Sequence, residues 1–133
     1  MAAVRPRVPT EDEEQITLFR WAELMAQTRW PELRLLYHVP NGGKRSKAEA
    51  GIFRAMGVKP GVPDVMLPVA RHGYHGLYIE LKRTEGGRVS ADQRQWLEAL
   101  AGQGYKTEVA YGWEQARQVL EGYLDPDQPG SRR

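Results

Sequence analysis

The sequence predicts one α/β domain organised on a mixed four-stranded sheet, and three observations carry that prediction. Two short segments, 65–69 and 77–81, alternate apolar and polar residues with the period of a half-buried strand. Three helix starts follow the Ser/Thr-x-x-Glu/Gln pattern, at Thr10–Glu13, Ser46–Glu49 and Ser90–Gln93, each ahead of apolar residues three and four apart. The chain of 133 residues is long enough for one modest core. Helical and extended segments in alternation suit a sheet covered by helices.

Taken in order, residues 1–9 read as a loose arm, with Pro6 and Pro9 flanking Arg7. Thr10 opens the first helix, and Glu11 and Asp12 favour the positive end of its dipole. Ile16, Phe19 and Leu24, with Leu18, Trp21 and Ala22, supply its apolar face. Trp30-Pro31 ends it. Residues 35–39 read as the first strand, stopped by Pro40-Asn41-Gly42-Gly43. A short helix follows over 46–56 with Ala48, Ile52, Phe53, Ala55 and Met56 expected inward, closed by Gly57. Lys59-Pro60-Gly61-Val62-Pro63 is a rigid loop that delivers Asp64 to the start of its strand.

Segments 65–69 and 77–81 form an antiparallel hairpin around a glycine-containing turn over 71–76. After a polar turn at 83–89, a helix runs to about residue 101 with Gln93, Trp96, Leu97 and Leu100 on one face. Residues 105–111 alternate as a fourth strand. A closing helix over 113–123 turns Ala116, Val119, Leu120 and Tyr123 inward. Residues 125–133, with prolines, glycine and a basic end, are expected to be disordered.

Composition removes several classes of protein. Cysteine is absent, which excludes disulfides and thiolate metal sites and suits a reducing cytoplasm. No apolar run is long enough for a membrane span, and the first nine residues lack the apolar core of a secretion signal. His38, His72 and His75 lack the spacing of a zinc site; the latter two read as turn residues. A formal charge of +2 and a pI near 9.0 permit nucleic-acid binding without requiring it.

The hairpin concentrates the chemistry. Val65, Leu67, Val69, Leu77, Ile79 and Leu81 point to one face; Asp64, Met66, Tyr78, Glu80 and Lys82 point to the other. Burial of the apolar set fixes the register, because a one-residue slip would drive charge into the core. Two carboxylates held together stay ionised only with a cation between them. Their oxygens suit a hard ion such as Mg²⁺, which also takes phosphate oxygens. Lys82 then stands where it can orient a water or offset charge growing on phosphorus. The plainer alternative is an exposed sheet face carrying a Glu–Lys pair.

Two further features have double readings. The segment Asn41-Gly42-Gly43-Lys44-Arg45 is rich in backbone donors and cations, and glycine lets a backbone approach a phosphate. It is not a Walker A loop, since Arg45 stands where Ser or Thr should follow the lysine. A simple turn is the alternative. Lys59 flanks the same region and either meets phosphate or belongs to a solvated face. Gln93 either caps its helix and stops there, or faces the carboxylates.

Pro63-Asp64 followed by Glu80-Leu81-Lys82 resembles the PD-(D/E)XK nuclease superfamily. The surroundings, from about Thr10 to about Tyr111, resemble its VRR-NUC branch (virus-type replication-repair nuclease) in the stand-alone phage and prophage form. The segments that carry the resemblance are 11–21, Val39 to Gly43, Gly57 to Asp64, and Gln93 with Trp96. The resemblance implies a restriction-endonuclease-like α/β/α core and a metal-dependent cut of DNA, often branched, flapped or four-way. It implies Mg²⁺ or Mn²⁺ on Asp64, Glu80 and the Leu81 carbonyl, with Lys82 and Gln93 in support. A glutamate of the first helix, Glu11 or its rival Glu14, completes the site through a water. Family members of this size are expected to be homodimers. A nucleic-acid-binding or assembly protein that keeps the fold without cutting, and a phosphoesterase for small substrates, are the competing classes.

Overall fold

The computed structural model describes residues 6–40 and 46–125. Asn41, Gly42, Gly43, Lys44 and Arg45 lie outside the described residues, as do most of the expected arm and tail. Helix α1 spans Glu11–Ala26 and is followed by a 3₁₀ turn, Pro31–Leu35. Then come β1 (Tyr37–His38), α2 (Lys47–Ala55), β2 (Val65–Leu67), β3 (Leu77–Lys82), α3 (Ala91–Gly102), β4 (Lys106–Tyr111) and α4 (Trp113–Leu124). The sheet order is β1-β2-β3-β4. The first two pairings are antiparallel and β3–β4 is parallel, so the sheet is mixed as expected.

The hairpin register is the one its alternation requires. Val65 faces Ile79 and Leu67 faces Leu77. All six apolar positions of the hairpin are buried, in one cluster with Leu18 and Ala22 of α1 and Ala116, Leu120 and Tyr123 of α4. Exposing that set by a one-residue slip would cost on the order of 10 kcal/mol, as much as the stability of a whole domain. α1 and α4 therefore cover one face. α3 packs on β4 and meets the other face through Gln93, which reaches Glu80.

Several boundaries and faces differ from the sequence reading. Strand β2 stops at Leu67 because Pro68 has no N–H to give the ladder. Val69 N–H then turns back to the Leu67 carbonyl at 2.9 Å. Leu35 ends the 3₁₀ turn and leaves β1 only two residues. On α1 the buried row is Leu18, Ala22 and Ala26; Ile16 and Leu24 are in solvent. Each of these two lies two positions from that row, about 200° around the helix. On α2 the expected inward face is not inward. No residue of that helix is buried, and Ile52 and Met56 are 60% and 73% exposed. The amphipathic pattern specified a face, and none of the described elements lies over it.

Candidate active site

Asp64 directly precedes β2, and Glu80 lies in β3 one step beyond the Val65–Ile79 pair. Asp64 Oδ2 accepts the Leu81 N–H at 2.8 Å, which ties the first carboxylate to the backbone of the second strand. Glu80 Oε2 accepts from Gln93 Nε2 at 3.0 Å and lies 3.4 Å from Lys82 Nζ. Glu80 is 1% exposed and Lys82 5%. The alternative of a solvated Glu–Lys pair on an open sheet face is thereby removed.

Burial of two unlike charges beside a second carboxylate has an electrostatic consequence. The Glu80 carboxyl is pushed up to about 8 by loss of solvent, then by the charge of Asp64; Lys82 opposes the shift. Its second oxygen, Oε1, is buried and has no hydrogen-bond partner among the described residues. An unsatisfied buried carboxylate oxygen normally costs a few kcal/mol. A divalent cation between Asp64 and Glu80 would satisfy that oxygen and remove the repulsion, and the donors are the hard oxygens such an ion prefers. The residues fit the ion. No three His, Asp or Glu side chains are gathered into a ready cage among the described residues. The acids are engaged by protein donors, which an incoming ion must share or displace.

Gln93 belongs to two structures at once. Ser90 Oγ accepts the Gln93 N–H at 3.2 Å, and Gln93 Oε1 accepts the Ser90 N–H at 2.8 Å, a complete capping box at the start of α3. With its oxygen so placed, the amide can only turn Nε2 to Glu80. The cap does not end the role of Gln93, as one reading of the sequence had it. The loop before Asp64 meets the same helix start. Gly61 sits at φ +90°, and a Cβ there would fall 2.7–2.9 Å from Asp92. The loop and α3 touch closely enough to exclude any side chain.

The two candidate glutamates of α1 part company. Glu11 lines a cleft of about 290 Å³ with Asp12, Gln15, His38, Pro40, Asp64 and Leu81. Glu14 is buried elsewhere, and the Trp113 N–H approaches its Oε1 at 3.4 Å at the start of α4. α4 has no side-chain cap of its own: its N-cap is Gly112, at φ +89°. A Cβ on Gly112 would lie 2.7 Å from Thr84 Cγ2 and 3.3 Å from Glu14 Oε2. The Glu14 carboxylate thus lies beside the positive end of α4. Lys59 borders a neighbouring groove with Val39, Pro40, Val62 and Trp96, and Pro40 is common to both hollows.

The sequence reading missed His38. Its Nδ1 lies 2.9 Å from the Asp64 carbonyl, which also accepts the Val39 N–H at 2.7 Å.

A mixed sheet that brings Pro63-Asp64 and Glu80-Leu81-Lys82 together on adjoining strands defines a class, the PD-(D/E)XK nucleases. Residues 14–114 match the VRR-NUC domain. A solved structure described as a VRR_NUC domain protein is 33% identical, with a TM-score of 0.77, over 90% of this chain and 91% of that one. No curated protein matches the chain. The chain belongs to the VRR-NUC family, a family of nucleases. The matched segment opens on Glu14 and leaves Glu11 outside it, whereas Glu11 shares the cleft with Asp64. Among the described residues no helix is long and apolar enough to cross a membrane.

Proposed function

We propose that the protein is a divalent-metal-dependent endonuclease that hydrolyses DNA phosphodiester bonds, with preference for branched, flapped or four-way DNA. The observation that carries the reading is the buried, half-satisfied Glu80 carboxylate beside Asp64, with Lys82 against it. Asp64, Glu80 and the Leu81 carbonyl hold Mg²⁺ or Mn²⁺. When bound, the ion supplies Lewis acidity and an activated water. Lys82 orients the attacking water and offsets the charge that grows on the phosphoryl oxygens. Gln93 keeps the Glu80 carboxylate facing the site, and Glu11 holds a water in the cleft. Lys59 and the Asn41–Arg45 segment meet the nucleic-acid backbone.

The protein acts as a homodimer in this reading. The apolar side chains that α2 leaves in solvent, Ile52 and Met56, support it as surface for a second copy. Two-fold symmetry would set two sites against a symmetric four-way junction. The setting is the cytoplasm of a bacterial or phage-infected cell.

The test compares linear, flapped and four-way DNA with Mg²⁺, Mn²⁺ or EDTA, using Lys82→Ala as the control. Cutting that needs the ion, is lost in the variant and is fastest on branched DNA is expected. Native-rate cutting by Lys82→Ala would remove the role given to the lysine. Ion binding without cutting of any DNA would favour the non-cleaving binder on the same fold.

A further inference from the structure

We propose that the hollow beside Trp96 receives one unpaired base of the DNA strand, next to the bond being cut; this rests on the DNA reading above and deepens it. The hollow has a volume of about 360 Å³, within the range of small-ligand pockets. Its apolar walls are Val39, Pro40, Val58, Val62 and Trp96, and Lys59, which is exposed, is its one charged lining residue. No carboxylate lines it, whereas the adjoining cleft carries those of Glu11, Asp12 and Asp64. Trp96 is only half-buried. A base has flat faces that stack on such a ring, and the phosphate that follows each base suits a cation.

The hollow is continuous with the carboxylate centre. Pro40 lines both it and the cleft of Asp64. Val39 donates its N–H to the Asp64 carbonyl at 2.7 Å. Val62 stands two residues before Asp64 in the same loop. Trp96 lies three residues beyond Gln93 on α3, so the two share one side of the helix, and Gln93 reaches Glu80 at 3.0 Å. A strand whose phosphodiester lies at Asp64 and Glu80 thus has a neighbouring base beside Trp96. A paired base must be turned out of its stack at a cost, which is least where the base is already unpaired. Flaps and junctions supply such a base, and the hollow gives a preference for them a physical origin.

An abasic scan tests this. A flapped duplex carries one abasic nucleotide, moved stepwise through the unpaired nucleotides around the fork, and affinity is read by fluorescence anisotropy in EDTA. In the native protein one abasic position should bind about 5- to 100-fold more weakly than intact DNA, the scale of one base stacked on an aromatic ring. Trp96→Ala should lose the same factor on intact DNA and become indifferent to that position. Trp96→Phe, which keeps a ring, should retain most of the discrimination. Lys59→Ala should weaken intact and abasic DNA alike and lower the salt slope by about 0.7, one phosphate of a single strand; an unchanged slope overturns the part given to the lysine. A scan with no sensitive position, or a Trp96→Ala protein that still senses the missing base, overturns the proposal, and the ring would then only hold the loop at 57–62 against α3. If Trp96→Ala proves unfolded by circular dichroism, the native scan and Trp96→Phe decide. Cutting in Mg²⁺ without a sensitive position sinks this inference alone. Base-sensitive binding without cutting in Mg²⁺ sinks the nuclease reading alone.

Discussion

Replacing Gln93 by Glu isolates one hydrogen bond from the helix it starts. Glu serves a capping box as well as Gln, so the bond from the Ser90 N–H at 2.8 Å survives. What disappears is the donor at 3.0 Å from Glu80 Oε2, and a second acid takes its place. Glu80 is 1% exposed, so no solvent compensates. Loss of a hydrogen bond to a charged, buried group costs about 1.5–3 kcal/mol, or roughly 10- to 150-fold in any step that needs the ionised Glu80. Gln93→Glu should therefore cut DNA about 10- to 100-fold more slowly at pH 7 while melting within a few degrees of the native protein. Gln93→Ala should lose the same activity and also the cap, about 1 kcal/mol, which lowers Tm by roughly 3–6 °C in a domain of this size. Single-turnover cleavage of a flapped duplex, with thermal melting alongside, reads both quantities. Native-rate cutting by Gln93→Glu would falsify the second role of Gln93 and leave only the cap.

The remaining expectations concern the acids and the dimer. Glu80 holds a proton in the folded protein that the unfolded chain gives up near 4.5. Without the ion, stability should therefore be fullest below about 4.5 and decline as pH rises through about 8. Ion binding must displace that proton. Calorimetry in buffers of different ionisation heat should show about one proton released at pH 7, and affinity should fall about tenfold per pH unit below 8. A flat affinity between pH 6 and 8 would contradict the raised carboxyl. Because Lys82 lowers that pKa, Lys82→Met should move the midpoint upward, in addition to abolishing cleavage. Glu14→Ala should destabilise by about 1–2 kcal/mol through loss of the α4 cap, whereas Glu11→Ala should melt like the native protein and cut slowly. Equal loss of stability in both variants would show that the two glutamates had not been separated. In the proposed homodimer, Ile52→Glu with Met56→Glu should give monomer in sedimentation experiments; a native dimer whose mass the two changes leave unaltered would place the second copy elsewhere.

The hairpin was legible in the sequence because side chains alternate across a strand with a fixed period and only one register buries six apolar residues. The grouping of Asp64, Glu80 and Lys82 on one face followed from that parity. The choice between Glu11 and Glu14 was not legible. They are three residues apart on one helix, so both lie near the same side of it. Their surroundings differ through the start of α4, about a hundred residues further on, whose Trp113 N–H approaches Glu14. The error over α2 has a related cause. Ile52 and Met56 have the spacing of a buried row, but spacing does not identify the neighbour that should bury them. His38 was invisible because its partner is a main-chain carbonyl, and the sequence pattern of side chains carries no mark of such a bond.

Gly61 ties the two halves of the centre to a common measure. The strand that bears Asp64 and the helix that bears Gln93 are separated in sequence by the whole hairpin, yet Gly61 lies against Asp92 with no room for a methyl group. A single added carbon at Gly61 would act as a wedge. It would lever the root of α3 outward and lift Gln93 from Glu80, disabling a carboxylate that the new atom never touches.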